Sequence, residues 1–339
     1  MVIIRKLEKK EEAEFKRLTT YYINLFYDDI DDSFAQNILN AHNKGFDPIG
    51  YWTKNKTIWV AETNNQMAGF LVATEKRGGS VKLLPEVIKP EYQKQGIGTQ
   101  LWEGVEEIYK KRGSRKVYND GPLRRVDLLQ WVTGMGLNLE AHLKEQYRKG
   151  QDEYVVGKLL GKSNVVEVPE IAWHGSEQPF SVRDYQDSDK EELKRLILRE
   201  MPKMYNEIDD NFVQSIILAE KRFGKDAFKE KGKKIFIVDS KEEVIGCCIA
   251  TPKRGGAVKL VPFLMDPEFA NNKVADSLLS KVESALGAYG YRKLYTLLPL
   301  PDVNSSYIFK KHGFEIEGLI REPYKENVDN LFFGKRLAL

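Results

Sequence analysis

The sequence predicts an α/β fold (an α+β mixed sheet) with two domains in tandem, each built on a largely antiparallel sheet. Three observations lead to this prediction. The 339 residues suffice for two domains of ordinary size. Patterns typical of strands and of helices alternate along each half. The second half also repeats the first at a shift of 177 residues, which indicates a duplication.

The repeat is clearest in a strand–turn–strand segment. Residues 74–85 (TEKRGGSVKLLP) return as residues 251–262 (TPKRGGAVKLVP). An upstream segment, 27–36, returns at 205–214 with a shift of 178. A nearly constant shift over half of the chain is the mark of two copies of one structural unit.

Residues 161–178 contain Gly, Ser, Asn and Pro without periodicity, as expected of a linker. We therefore predict a first domain over 1–160 and a second over 179–339. The linker also contains Trp173, and a linker tryptophan is expected to pack into the groove between domains.

The elements of the first copy follow from periodicity and turn residues. Asp31 or Asp32 supplies an acidic cap for the second helix. Residues 64–65 (Asn-Asn) and 78–79 (Gly-Gly) indicate tight hairpin turns, because both pairs accept positive φ. In chain order we predict a strand over 2–7, helices over 11–22 and 33–43, strands over 57–62, 67–75 and 81–89, an amphipathic helix from about Gly98 to Gly113, a strand over 116–119, a helix over 126–133, and two final strands, one of them over 153–160.

Composition excludes several classes of protein. The 53 basic and 50 acidic residues leave a net charge of only +3, so we expect no nucleic-acid partner and no membrane partner. Cys247 and Cys248 are adjacent and predict no disulfide framework. The four histidines lack metal-ligand spacing, so no metal site is expected. No stretch approaches the ~18 apolar residues of a membrane span, and no signal-peptide core follows Met1. We expect a cytoplasmic protein.

The segment that is most informative about chemistry is 86–99, EVIKPEYQKQGIGT. A strand ends, a loop containing Gly96 and Gly98 follows, and a helix begins. The glycines remove Cβ atoms where an anion approaches, and the first amides of the helix are unpaired. This arrangement favours a pyrophosphate, with Lys94 as an added cation. The loop lacks the Gly-Lys-Ser/Thr of a P-loop and the third glycine of a dinucleotide fingerprint. A plain turn before a helix is the alternative.

Within this segment, Pro90-x-Tyr92-Gln93-x-x-Gly96-x-Gly98 resembles the acetyl-CoA signature of the GNAT acetyltransferase superfamily, Gln/Arg-x-x-Gly-x-Gly/Ala. The order of elements across the first copy is also similar to that fold. The resemblance implies that acetyl-CoA is the co-substrate. It implies that the loop amides hold the pyrophosphate and that the backbone around Ile88 pairs with the pantetheine arm. The implied cofactor-binding residues are Ile88, Gln93, Lys94, Gln95, Gly96, Ile97, Gly98 and Thr99.

The second copy departs from this motif. At a shift of 177, Gly96 becomes Lys273 and Gly98 becomes Ala275. The Cβ and stem of the lysine would crowd the path of the pyrophosphate, whereas the apolar face of the following helix is kept. We therefore predict a second GNAT-like domain that has kept the fold and lost the cofactor.

Glu86 is the candidate catalytic base. Acylation of an amine needs the neutral amine, and a base that removes its proton is the usual device. Glu86 lies two residues before Ile88 and so on the same face of the strand. A cleft between strands would raise the pKa of its carboxyl group. A solvated strand carboxylate is the alternative, and Phe263 holds this position in the second copy.

The acid for the leaving thiolate is less well defined. Many family members place a tyrosine four residues before a Gly-Phe pair, but Val132 and Phe309 stand there in the two copies. Tyr118 is the candidate acid. Tyr147 is an alternative, and departure of the thiolate without a positioned acid is another.

The acidic stretch 28–32 lies between the first two helices, which wall the acceptor site in this family. It could attract a cationic amine, or it could simply supply a cap and a solvated turn. We expect transfer of an acetyl group to a primary amine of a small molecule. A CoA-binding or scaffold protein without turnover is the first alternative. A Fem-like peptidyltransferase is the second, although that family does not use acyl-CoA. A homodimer is left open.

Overall fold

The computed structural model divides the chain into two compact units. Unit 1 comprises Met1–Glu140 and Gly150–Asn164, and unit 2 comprises Ala141–Lys149 and Val165–Leu339. The domain bounds predicted from the repeat stay a prediction. For residues 126–129 only the backbone is described. The described residues are 1–27, 31–47, 51–122, 126–161, 170–175, 178–224, 227–241 and 243–337.

Unit 1 has its helices and strands where the periodicity predicts them. Its helices are α1 Glu12–Asn24, α2 Asp32–Lys44, α3 Ile97–Lys111 and α4 Val126–Gly134. Its strands are β1 Ile3–Lys6, β2 Thr53–Thr63, β3 Gln66–Lys76, β4 Ser80–Ile88, β5 Lys116–Gly121, β6 Asn138–Arg148 and β7 Gln151–Leu159, in the sheet order β1-β2-β3-β4-β5-β7-β6. Strands β4 and β5 run parallel, and β1–β2, β2–β3, β3–β4 and β5–β7 are antiparallel. Only residues 138–140 of β6 belong to unit 1, and its residues 141–148 belong to unit 2.

The predicted turns and cap of unit 1 are confirmed. Residues 64–65 have φ values of 51° and 58°, and residues 78–79 have φ values of 82° and 80°. Positive φ at both central positions suits the right-handed twist of the hairpin strands. Asp31 caps α2, because its carboxylate accepts a hydrogen bond of 3.0 Å from the amide of Ser33.

Apolar side chains cover both faces of the unit 1 sheet. On one face α3 contributes the fully buried Leu101, Trp102 and Val105 to a cluster with β4 and β5. On the other face α1 and α2 pack against β2 and β3, with Phe15 and Phe70 in edge contact at 4.7 Å. The sheet is therefore buried between two helical layers.

Unit 2 repeats this architecture. The corresponding sheet order is β8-β9-β10-β11-β12-β14-β13, again with one parallel pair, β11–β12. Its elements are β8 Ser181–Asp184, α5 Lys190–Glu200, α6 Asp210–Glu220, β9 Lys234–Ser240, β10 Glu243–Pro252, β11 Ala257–Met265, α7 Asn272–Ala288, β12 Lys293–Pro299, α8 Val303–Lys311, β13 Glu315–Lys325 and β14 Val328–Arg336. Unit 2 also includes residues 141–149, where Ala141 pairs with Gly318. The predicted mixed, largely antiparallel fold is confirmed.

A buried ion pair occurs at the same place in each unit. Lys116 Nζ lies 2.6 Å from Glu140 Oε2, and Lys293 Nζ lies 2.8 Å from both carboxylate oxygens of Glu317. The lysines are at most 1% exposed. Removing one partner of a buried pair leaves an uncompensated charge, which explains why both copies have kept both partners.

The described residues were also searched for a membrane-spanning helix and for a group of metal-binding side chains. None of the described helices has the length and apolar content needed to cross a bilayer. In the part of the chain that the structure describes, no three His, Cys, Asp or Glu side chains are grouped so that they could hold a metal ion.

Candidate active site

Strands β4 and β5 are paired for only three residues. Residues 80–82 of β4 pair with residues 116–118 of β5, and beyond them β4 continues beside β3 while β5 continues beside β7. The two parallel strands therefore separate and open a gap in the sheet. An ion pair between Lys82 and Asp120 links the strands where the gap begins.

A one-residue bulge in β4 determines which side chains face α3. Leu71 pairs with Glu86 and Ala73 with Leu83, so β4 has one residue more than β3 at this point. A bulge re-aims the side chains that follow it. Glu86 therefore lies on the α3 side together with Leu83 and Ile88, whereas Val87 packs with α1 and α2. Strand β11 has the same irregularity.

Glu86 is a half-buried carboxylate beside the glycine loop. Its Oε1 lies 3.0 Å from the position that a Cβ on Gly98 would occupy, and Cγ1 of Ile88 lies 3.5 Å from the same position. Burial raises the pKa of Glu86 to about 8. Among the described residues it has no hydrogen-bonding or ionic partner. An unpaired carboxyl group whose pKa is raised by desolvation, in a gap of the sheet, is a candidate functional group.

The loop after β4 presents its backbone to solvent. Gly96 has φ of 74° and immediately precedes α3, and Lys94 has φ of 58°. Within the described residues, no side chain caps this end of α3. Its first amides therefore lack acceptors inside the helix, and they carry the positive end of the helix dipole.

Two glutamine side chains fix the loop. Gln93 Nε2 donates to the carbonyl oxygen of Ile88 at 2.9 Å, and Gln95 Nε2 donates to that of Glu91 at 2.8 Å. Both side chains are thus engaged with backbone carbonyls. The amide of Gln93 also donates to the carbonyl oxygen of Pro90 at 3.2 Å, so within the described residues the amides left for an anion are those of residues 94–99. Apart from its chain neighbours, the one atom of the described residues within 4 Å of a Cβ on Gly96 is Gln100 Nε2, at 3.8 Å. The loop therefore fits the pyrophosphate of acetyl-CoA.

Trp131 contacts the first turn of α3, which the sequence did not predict. Its Nε1 donates to Thr99 Oγ1 at 2.8 Å, and its ring meets that of Trp102 edge to face at 5.9 Å. These contacts tie α4 to the first turn of α3. The hydroxyl of Thr99, one of the residues predicted to bind the cofactor, thus accepts from Trp131 and keeps its own proton for donation. The sequence gives no signal for this contact beyond the apolar character of α4.

The candidate acids are not brought to Glu86. Tyr118 pairs with Lys82 across the parallel strands, and its neighbour Val117 packs in the cluster under α3. Because side chains alternate along a strand, Tyr118 faces the opposite side of the sheet from Glu86. Tyr147 belongs to the part of the chain that lies in unit 2. The catalytic roles of Glu86 and Tyr118 stay predictions.

The corresponding helix of unit 2 begins in a different way. Helix α7 starts at Asn272, which corresponds to Gln95, so it begins two residues earlier than α3. The side chain of Asn271 accepts hydrogen bonds of 3.1 Å from the amides of Lys273 and Val274. The first-turn amides that α3 leaves open are thus already capped in α7. The sequence predicted only that the stem of Lys273 would crowd the pyrophosphate path. In the structure the loop itself is replaced by the capped start of α7.

The position of the candidate base is apolar in unit 2. Phe263 corresponds to Glu86 and is only 6% exposed. It packs edge to face against Phe309, with 5.0 Å between the ring centroids. Aromatic packing therefore fills the place where unit 1 holds a carboxylate.

A separate open cavity of 660 Å³ lies between α1 and α2. Lys16 and Arg17 line it together with Asp32, so it carries charges of both signs. Residues 28–30 of the predicted acidic stretch lie outside the described residues, and Asp31 acts as a helix cap. The cavity by itself therefore favours neither a cationic nor an anionic acceptor.

Comparison with known proteins gives one family for both halves. The model of the acetyltransferase (GNAT) family matches residues 23–122, and that of the acetyltransferase (GNAT) domain matches residues 182–330. No curated protein sequence matches the chain.

Several solved structures are similar to about half of the chain. The acetyltransferase of the GNAT family from Streptococcus pneumoniae is 20% identical, with a TM-score of 0.38 over 48% of this chain and 100% of that one. The ribosomal-protein-S18-alanine N-acetyltransferase from Escherichia coli is 18% identical, with a TM-score of 0.36 over 48% and 97%. The spermidine N-acetyltransferase from Vibrio cholerae, in complex with CoA and spermine, is 17% identical, with a TM-score of 0.40 over 47% and 95%.

Proposed function

The chain belongs to the GNAT acetyltransferase family and carries two of its domains, and from this premise we propose that it transfers an acetyl group from acetyl-CoA to a primary amine of a small molecule. The first copy binds the acetyl-CoA, and the second copy binds none. The acceptor amine, a cytoplasmic location and a possible homodimer belong to the same proposal.

One contrast between the two copies supports the proposal most directly. In the first copy the N-terminus of α3 has Gly96 before it and no capping side chain among the described residues. The carboxyl group of Glu86, which has no partner in the described ranges, lies beside this end of the helix. In the second copy Asn271 caps the helix and Phe263 takes the place of the carboxylate. Anion-binding amides and a candidate base are therefore kept or lost together.

The residues of the first copy divide the work between binding and proton transfer. Acetyl-CoA supplies the acetyl group as a thioester. The amides of residues 94–99 would hold its pyrophosphate, and the backbone at Ile88 would align the pantetheine arm in the gap between β4 and β5. Glu86, once ionised, would take a proton from the ammonium group of the acceptor, directly or through a water molecule. The sequence-based candidate for returning a proton to the thiolate is Tyr118, but it faces the opposite side of the sheet from Glu86, so this proposal also includes departure of the thiolate without a positioned acid.

A CoA-binding protein without turnover is the second candidate. The observation that favours it is the buried Val132, 3% exposed, at the position where the family's tyrosine is expected. This candidate predicts cofactor binding with no acetylated product.

The test separates the two candidates. We expect calorimetry to give one acetyl-CoA site per chain, and we expect CoA release with a panel of small primary amines. Mass spectrometry should identify the acetylated amine. Binding without product from any amine would support the second candidate, and absence of binding would contradict both.

A further inference from the structure

A short described part of the linker, residues 170–175, runs between two loops of unit 2. At one end it meets the loop after β12. The amide of Ile171 donates to the carbonyl oxygen of Pro301 at 3.1 Å, and Asn304 Nδ2 donates to the carbonyl oxygen of Ile171 at 3.1 Å. The backbone of the linker is thus held through both its N–H and its C=O groups.

The other end of the segment meets the loop after β11. The amide of His174 donates to the carbonyl oxygen of Pro267 at 2.8 Å, and that of Gly175 donates to Ala270 at 3.0 Å. A Cβ on Gly175 would lie 2.3 Å from the carbonyl carbon of Phe269. Only a glycine allows the linker to lie this close to the loop.

These two loops border the gap between β11 and β12. The parallel strands pair only as far as Lys259 and Tyr295 and then separate, as β4 and β5 do in unit 1. Pro267 and Ala270 correspond to Pro90 and Gln93, at the start of the loop that we assign to the pyrophosphate. The segment therefore joins the two borders of what would be the cofactor cleft of the second copy.

The middle of the segment adds an apolar contact. Trp173 is partly buried and packs against the hydrophobic core of unit 2. The side chains of Ala172 and His174, on either side of it, are exposed. The segment thus buries one large apolar side chain against unit 2 and forms backbone hydrogen bonds at both of its ends. An extended ligand with amide groups would bind in the same way.

We propose that the cleft of the second copy is a binding site for the chain's own residues 171–175, which act as a built-in ligand and keep acyl-CoA out. A peptide offers the same N–H and C=O groups as a pantetheine arm and carries no phosphate. It therefore needs none of the open amides that Asn271 has capped. This inference rests on the proposed function in one respect: the cleft of the second copy is identified by its correspondence to the proposed acetyl-CoA cleft of the first copy.

Amide hydrogen exchange on the full chain tests the proposal. The amides of Ile171, His174 and Gly175 should exchange about 100-fold more slowly than unstructured amides, because each donates to a carbonyl of unit 2. Addition of CoA should leave their rates unchanged and should slow exchange in the loop of residues 93–99. Exchange at unstructured rates would overturn the proposal. So would a loss of protection on addition of CoA, since CoA would then have displaced the linker.

A pair of glycine variants makes the test specific. Gly175→Ala should remove the protection at residues 171–175, because its Cβ meets the backbone of Phe269. Gly161→Ala is the matched control in the same linker, since among the described residues no atom lies within 4 Å of its Cβ. Equal exchange in the two variants would contradict the proposal.

Variants at neighbouring residues supply a second pair in case Gly175→Ala does not fold. Trp173→Ala should speed exchange at residues 171–175 at least tenfold, and His174→Ala, which loses only an exposed side chain, should not. Failure of the 93–99 loop to respond to CoA would count against the proposed function alone, because the linker rates are measured independently.

Discussion

The Oε1 atom of Glu86 lies 3.0 Å from the position that a Cβ on Gly98 would occupy. The candidate base and the second glycine of the loop therefore share one space, between β4 and the first turn of α3. Gly98 does not have a positive φ, so its backbone conformation does not require glycine. The carboxylate beside it does explain the glycine.

Gly98→Ala should separate cofactor binding from catalysis. The added methyl group should push the Glu86 carboxylate aside by a few tenths of an ångström, whereas the loop amides keep their places. We expect kcat to fall about tenfold and the Kd for acetyl-CoA to change less than about twofold. Gly134→Ala, whose Cβ has no atom of the described residues within 4 Å, is the control. Equal kcat values for both variants would show that the position of Glu86 does not matter.

Gly96→Glu should abolish acetyl-CoA binding and leave the fold intact. A carboxylate at this position would oppose the pyrophosphate, whereas the glycine packs against no core residue. Gly113→Glu is a matched control, because Gly113 also has positive φ, 80°, and no atom of the described part of the chain lies within 4 Å of its Cβ. Both variants should lose about 1 kcal/mol of stability from the left-handed conformation. Calorimetry should show that only Gly96→Glu loses the cofactor, and binding by both variants would refute the loop assignment.

The loop and helix α3 could be predicted from the sequence because glycine spacing and apolar periodicity are local signals. The start of α7 could not. Aligning Lys273 with Gly96 suggests a blocked loop, but the side chain of Asn271 competes for the same amides and moves the helix start by two residues. The side of the sheet on which Tyr118 lies could not be predicted either, since it depends on the register between β4 and β5.

Glu86→Gln should change the pH dependence of both activity and stability. The pKa of Glu86 is about 8, so its basic form accumulates only as the pH rises through that value. Below it, kcat/KM of the wild type should rise about tenfold per pH unit through this group. The variant should lose the pH dependence that is due to Glu86 and keep only that due to titration of the acceptor amine. Its kcat/KM at high pH should be about 100-fold or more below that of the wild type.

The raised pKa of Glu86 also predicts how the stability difference between Glu86→Gln and the wild type changes with pH. The folded state holds the Glu86 proton up to pH about 8, whereas the unfolded chain releases it near the ordinary carboxyl pKa. The folded state therefore binds more protons between these values, and the free energy of unfolding falls as the pH rises through that window. Glu86→Gln should raise Tm relative to the wild type at pH 9 and much less at pH 5. An equal difference at both pH values would contradict the raised pKa.

Asn271→Ala should destabilise unit 2 without creating a second cofactor site. Loss of an N-cap costs about 1 kcal/mol, and the apolar Phe263 still occupies the position of the base. Calorimetry should continue to give one acetyl-CoA per chain, with the melting transition shifted downward. Asn272→Ala, in the first turn and exposed, is the control and should leave the transition in place. Two equivalent sites in either variant or in the wild type would show that the second copy binds the cofactor.

A fragment comprising residues 1–160 should be less stable than the same residues in the full chain. It contains residues 141–149, which belong to unit 2. There Arg292 Nη1 donates to the carbonyl oxygen of Glu145 at 2.6 Å, and Lys293 Nζ donates to that of Lys144 at 2.6 Å. Losing these charged hydrogen bonds should lower Tm by about 5–10 °C. Melting temperature, acetyl-CoA affinity and turnover should be compared with those of the full chain.

One substitution tests whether the missing partners are the cause. Leu143 is 2% exposed in unit 2, so Leu143→Ser should destabilise the full chain by about 2–3 kcal/mol. In the fragment this side chain lacks the rest of its own unit, so the substitution should cost clearly less there than in the full chain. The fragment should keep acetyl-CoA binding, because residues 86–99 lie wholly within unit 1. A fragment that equals the full chain in Tm, affinity and turnover would show that the second copy neither stabilises the first nor contributes to catalysis.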